Sequence, residues 1–230
     1  MQHVLERLLA FHRHLRQHAF YGLALSSGLA CLMLYLRMQL SERATFGFML
    51  WNLFLAWVPY LLSLATDAEL HRNPRAWWRL LLPSAFWLLF LPNATYLVTD
   101  LIHLRPREYI PLWFDVGMLA LFALCGCFLA VVSIQIMQEI VASYVGRIAS
   151  WVFVAITLGL NGLGVYLGRF QRWNSWNVFT HPDELLMNIL RIISRPQEHV
   201  QAVGVTGMFT LLLLACYVAF THPRSRTMVG

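Results

Sequence analysis

The chain has 230 residues, 59% hydrophobic and only 12% charged, and all seventeen of its Lys/Arg positions are Arg, which leaves a formal net charge of +6. A water-soluble domain carries about 25% charged residues, so a soluble fold is excluded. A β-barrel is excluded too, because the alternating segments of about ten residues that it needs are absent. The arginines are scattered over the loops and form no basic stripe, which argues against nucleic-acid binding.

The expected fold is therefore all-α, a polytopic transmembrane helix bundle of about six spans. Residues 1–18 place Val4, Leu5, Leu8, Phe11 and Leu15 at helical spacing among basic residues, the pattern of an amphipathic helix lying in the membrane interface. Its four histidines, His3, His12, His14 and His18, read either as metal donors or, more commonly, as a wet helix face. Apolar runs near the roughly 20 residues that cross a bilayer predict spans at about 19–36, 45–65, 76–92, 112–134, 149–168 and 200–220. Together they form a single membrane domain over 19–220, followed by a polar tail over 221–230. Trp51, Trp77, Trp78, Trp113 and Trp151 fall near span ends, where interfacial aromatic belts sit. Between spans five and six, "HPDELLMNILRIISRP" predicts a short interfacial helix over about 182–194, capped by Thr180 and ended by Pro196. Cys31, Cys125, Cys127 and Cys216 all lie inside apolar runs and read as packing residues.

The polar groups converge on one face. Span three runs sixteen residues from Trp77 to Pro92, about 24 Å at about 1.5 Å per residue, short of the ~30 Å apolar core. It is expected to break at Pro92-Asn93. If helix then resumes, Asn93, Tyr96, Asp100 and His103 share one face. Up-down topology brings this segment, Asp115 at the start of span four, and the end of span five to the same membrane face. In span five Thr157, Asn161, Gly164, Gly168 and Arg172 form one stripe, and Gly164/Gly168 permit close helix approach. Asp100 and Asp115 are the expected counter-ions of Arg169 and Arg172, since unpaired charge at membrane depth is costly. The candidate anion-binding cluster is thus Asn93, Tyr96, Asp100, Asp115, Asn161, Arg169, Arg172 and Asn174, with Asp100 and Asp115 the best placed for catalysis. Asp100, His103 and His181 offer donors suited to a transition metal, but no paired ligand motif or cofactor fingerprint accompanies them, so neither metal nor cofactor is predicted. Ser175 lacks the elbow and the partner of a nucleophile.

"LPNATYLVTDLIHL", the "WFD" of Trp113–Asp115 and "GLGVYLGRFQRWNSWN" resemble hallmarks of the bacterial integral membrane family called domain of unknown function 1361. Where that family commonly reads Asn-Ser-Trp-Asp, this chain has Asn177. The resemblance implies a multi-span protein of the bacterial inner membrane and supplies no reaction. Arginine counts of nine and eight on the two sides decide little, but three Arg precede span one and two follow it, which places the N-terminus in the cytoplasm. Three function classes fit: an enzyme or binding protein for an anionic lipid head group or lipid-linked substrate, a transporter or channel subunit, and a partner-binding scaffold whose cluster only clasps the bundle. A transport path needs polar groups at the midplane, where Ser26, Ser27, Asn52 and Thr210 are the main ones. The one-sided cluster therefore favours the head-group reading.

Overall fold

The computed structural model describes residues 9, 12–107, 109–173 and 175–220. Most of the expected amphipathic segment, Asn174 and the C-terminal tail lie outside the described residues. Those that are described form helices joined by short loops, and no strand occurs among them. Residues 12–17 are helical and lead through a turn into α1, Phe20–Ser41. There follow α2 (Phe48–Arg72), α3 (Trp78–Thr99) with a 3-10 turn over Asp100–His103, α4 (Leu112–Val145), α5 (Arg147–Phe170), α6 (Asn177–Thr180), α7 (Pro182–Ser194) and α8 (Val200–Phe220). Six of these, α1 to α5 and α8, are long and apolar enough to cross a membrane.

The chain divides into two compact units, Met1–Ile140 and Val141–Gly230. In the first, Leu34, Met49, Ala56, Tyr60, Trp87, Leu91, Met118 and Phe122 form a core with almost no exposure. Lipid tails are as apolar as these side chains, so burial alone does not hold helices together in a bilayer; close packing and interhelical hydrogen bonds do. Trp57 Nε1 donates to Ser27 Oγ at 3.1 Å, tying α2 to α1. Trp87 Nε1 donates to the wholly buried Ser133, whose hydroxyl donates onward to the Pro59 carbonyl, so α3, α4 and α2 meet at one hydroxyl. Gly126 lets α4 touch α3: a Cβ there would strike the Ala94 carbonyl oxygen and Leu97.

The third span does not break at Pro92-Asn93. α3 runs through both Pro83 and Pro92 to Thr99. Proline inside a membrane helix is tolerated when side chains meet the freed backbone groups. Beside Pro92, Asn93 Nδ2 donates to the Phe90 carbonyl at 3.0 Å and Thr95 Oγ1 to that of Pro92 at 3.2 Å, so both side chains fold back onto the backbone of their own helix. The polar groups that suggested an exit thus serve the helix that continues.

In the second unit α5 packs on α8, and the close approach is made by Gly162, where a Cβ would strike the Thr206 carbonyl and the Thr210 hydroxyl. α7 lays Leu185, Ile189 and Ile192 against Tyr166, Leu167 and Ala202. Leu186, Leu190 and Ile193 face outward. Thr180 does not cap this helix. Its hydroxyl meets the His181 ring at 2.9 Å, the N-cap position is His181, and Pro182 opens the helix at its first position, where its missing N–H costs no helical bond.

Candidate functional site

Alternating helix directions put the end of α1, the start of α2, the end of α3 and the start of α4 at one end of the first unit. There α1 carries Arg37 one turn before Ser41, and α4 carries Asp115 in its first turn. A carboxylate suits a helix N-terminus, where backbone N–H groups point outward. Arg37 Nε donates to Asp115 Oδ1 at 2.8 Å and Nη2 to Oδ2 at 3.3 Å. Both side chains are 1% exposed, so this is a buried, two-point pair, the geometry that best offsets desolvation.

Above the pair lies a second layer. Arg107 comes from the segment joining α3 to α4, with Nε 3.9 Å from Asp115 Oδ2 and 34% of its side chain exposed. The buried Phe46, from the α1–α2 loop, has the Arg37 guanidinium 4.5 Å and that of Arg107 5.0 Å from its ring centre, a cation–π contact with each. Arg43 lies over the Tyr109 ring at 5.4 Å. The Ser41 hydroxyl accepts from the Arg43 amide at 3.4 Å and lies 3.5 Å from Arg37 Nη1, which shapes the loop. These groups enclose a cleft of ≈ 220 Å³ lined by Arg37, Ser41, Arg43, Thr45, Pro106, Arg107, Tyr109 and Ile110. The described residues here bring three guanidiniums against one ion-paired carboxylate, so the cleft is suited to an anion.

Of the residues expected from sequence, Asn93, Tyr96, Asp100, His103 and Asp115 belong to the first unit, and Asn161, Arg169, Arg172 and His181 to the second. Asp100 is fully buried and accepts from Asn52 Nδ2 at 2.9 Å. The His103 ring packs edge-on against Phe48. Asn161 is buried in α5, Arg169 sits in its last turn, and Arg172 beyond it is held at φ 60°. Within the first unit Asp115 is ion-paired with Arg37 at 2.8 Å. Sequence reading passed over Arg37, Arg43 and Arg107 as ordinary loop cations, and only their proximity to Asp115 and aromatic rings marks them out. The midplane polar groups are engaged with protein: Ser26 donates to Leu23, Ser27 accepts from Trp57, and Thr210 donates to the Leu158 and Thr206 carbonyls.

A second cleft, of ≈ 520 Å³, lies in the second unit between the end of α5 and α7, lined by Gln171, Trp173, Asp183, Glu184, Met187, Asn188 and Arg191. Its charges are mixed, two carboxylates to one guanidinium, which gives it no preference for an anion.

Residues 51–216 match a family described as protein of unknown function (DUF1361). Arg107 and Asp115 lie within that stretch, whereas Arg37 and Arg43 precede it. No curated protein and no solved structure matches the chain significantly.

Proposed function

The chain belongs to the DUF1361 family, whose description assigns no activity, and from that premise we propose that it binds a phosphate-bearing anionic lipid head group in the Arg37–Arg43–Arg107 cleft. The observation that carries this reading is the excess of guanidinium over carboxylate in a cleft at the helix ends. Arg forks match phosphate oxygens in pairs and are more weakly hydrated than ammonium groups. Arg37 is already held by Asp115 and forms the rigid floor. Arg107 and Arg43, more exposed and steadied on aromatic faces, supply the open donors, with the Ser41 and Thr45 hydroxyls beside them. At ≈ 220 Å³ the cleft is smaller than the roughly 300–1,000 Å³ of drug-sized pockets, which suits a phosphate with its linker. Leu36, Leu40, Leu112 and Trp113 are exposed on the same helix ends, where acyl chains would lie. Asp115, gripped through both oxygens, serves this reading as an anchor for Arg37 and not as a base. The engaged midplane polar groups and the unbroken α3 weigh against a transport path.

The test is a titration of purified protein with short-chain phosphatidic acid, phosphatidylcholine and inorganic phosphate. Phosphatidic acid is expected to bind and phosphatidylcholine to fail, while free phosphate binds weakly because it lacks the chains. A hydrogen bond to a charged group contributes about 1.5–3 kcal/mol, so Arg43→Gln or Arg107→Gln should weaken binding by roughly ten- to a hundredfold. Arg169→Gln and Arg172→Gln in the second unit are the comparison. If these are the damaging pair, the head group sits on the α5 stripe and the cleft reading fails.

A further inference from the structure

At the opposite ends of α1 and α2, away from the arginine cleft, a different set of groups meets. His14 sits on the helical stretch before α1, and His18 follows one turn later. Asp67 faces them from the last turns of α2. His18 Nε2 lies 3.4 Å and His14 Nδ1 3.7 Å from Asp67 Oδ2. One donor atom from each of the three lies within 4.8 Å of the other two, the group of converging metal-competent donors among the described residues. Zinc bonded to nitrogen and oxygen at about 2.1 Å in a tetrahedron sets its donors about 3.4 Å apart, close to the two distances found. We propose that His14, His18 and Asp67 form a divalent transition-metal site, zinc-type in geometry, with its fourth position open to water or a ligand. This inference is independent of the head-group reading.

Two observations support it. The donors are largely shielded, with side chains 24%, 22% and 11% exposed for His14, His18 and Asp67. Supporting contacts are also in place: Tyr60 donates to the His18 carbonyl at 3.0 Å, fixing the turn. His71 Nδ1 lies 2.8 Å from the Asp67 carbonyl and 3.5 Å from its carboxylate, bracing the ligand from its exposed side.

The experiment uses the full chain in detergent, stripped with chelator and titrated with Co²⁺, then with Zn²⁺ in competition. The expected result is one Co²⁺ per chain with the intense visible absorption of a four-coordinate site, bleached by Zn²⁺. His18→Gln and Asp67→Asn should each weaken binding by more than the roughly 100-fold that losing a supporting contact costs at most. His12→Gln, at an exposed ring bonded to Tyr21, should leave it unchanged. Absence of the band, or equal binding by all variants, would show adventitious uptake by surface histidines and overturn the proposal. Should the variants fail to fold, the zinc-edge absorption spectrum of the unaltered protein decides. Two imidazoles with an oxygen shell uphold the site, and any other ligand set overturns it.

Discussion

Arg37 and Asp115 stand 78 positions apart in the chain and meet with 1% exposure each. A buried pair of this kind is costly to break and much less so to replace. Asp115→Asn strands a guanidinium in the bundle and should destabilise by about 3–5 kcal/mol, whereas Arg37→Met with Asp115→Leu should come out near neutral or better. Thermal unfolding in detergent measures both, and a mild single-variant loss would mean that Arg37 reaches water. The position of Asp115 was legible in the sequence, at the start of an apolar run beside Trp113. Its partner was not, because composition cannot choose one arginine out of seventeen. Arg37 lies where a span was expected to have just ended, and the helix in fact runs on to Ser41. The histidines show the converse. Their presence before span one was plain, but only the fold shows that His14 and His18 turn toward Asp67.

Hydrophobic run lengths predict six spans, and six of the described helices are long and apolar enough to cross a membrane, because a bilayer demands long apolar helices and little else imitates them. Run ends were read less well, for a physical reason. Proline and asparagine stop a helix in water, but a helix inside a bundle tolerates proline, and Asn93 and Thr95 turn their side chains back onto the backbone of α3. Glycine spacing was similarly ambiguous. The contacts single out Gly126 and Gly162, each against a neighbour's carbonyl, and only the packed helices disclose that. Since the Ala94 carbonyl belongs to a helix backbone and cannot swing aside, Gly126→Ala should cost about 1–3 kcal/mol by overpacking. Gly28→Ala, where a Cβ meets nothing, should be neutral or slightly stabilising through helix propensity. Equal melting temperatures for these two variants would mean that α3 and α4 separate easily. Gly146, at φ 84° and ψ 169° between α4 and α5, occupies backbone space essentially reserved for glycine, and Gly146→Ala should cost about 1–3 kcal/mol.

For the molecule as a whole, the cleft makes bilayer composition a stability variable. Any ligand that binds only the folded state stabilises it by mass action, about 2.7 kcal/mol when present at a hundred times its Kd. Membranes containing phosphatidic acid should therefore raise the unfolding temperature over phosphatidylcholine alone. The gain should shrink in high salt, where exposed charges such as those of Arg43 and Arg107 are screened. A gain that survives in Arg43→Gln/Arg107→Gln would trace to the general basicity of the chain, its +6 formal charge.

The length of α4 sets one more constraint. Its 34 residues span about 51 Å, against an apolar core of about 30 Å. Leaning alone would need more than 50° to hide it, beyond the roughly 40° that membrane helices reach. With the Trp113 end anchored at the interface, the surplus falls at the other end, where Glu139, Ser143 and Tyr144 are exposed. Ser143 then stands clear of the lipid like a post above a floor. In a cysteine-free background, Ser143→Cys should react with a membrane-impermeant maleimide from one side only, while Ser133→Cys stays silent. Applied to sealed, right-side-out vesicles, that reaction would assign an absolute address to both ends of the bundle.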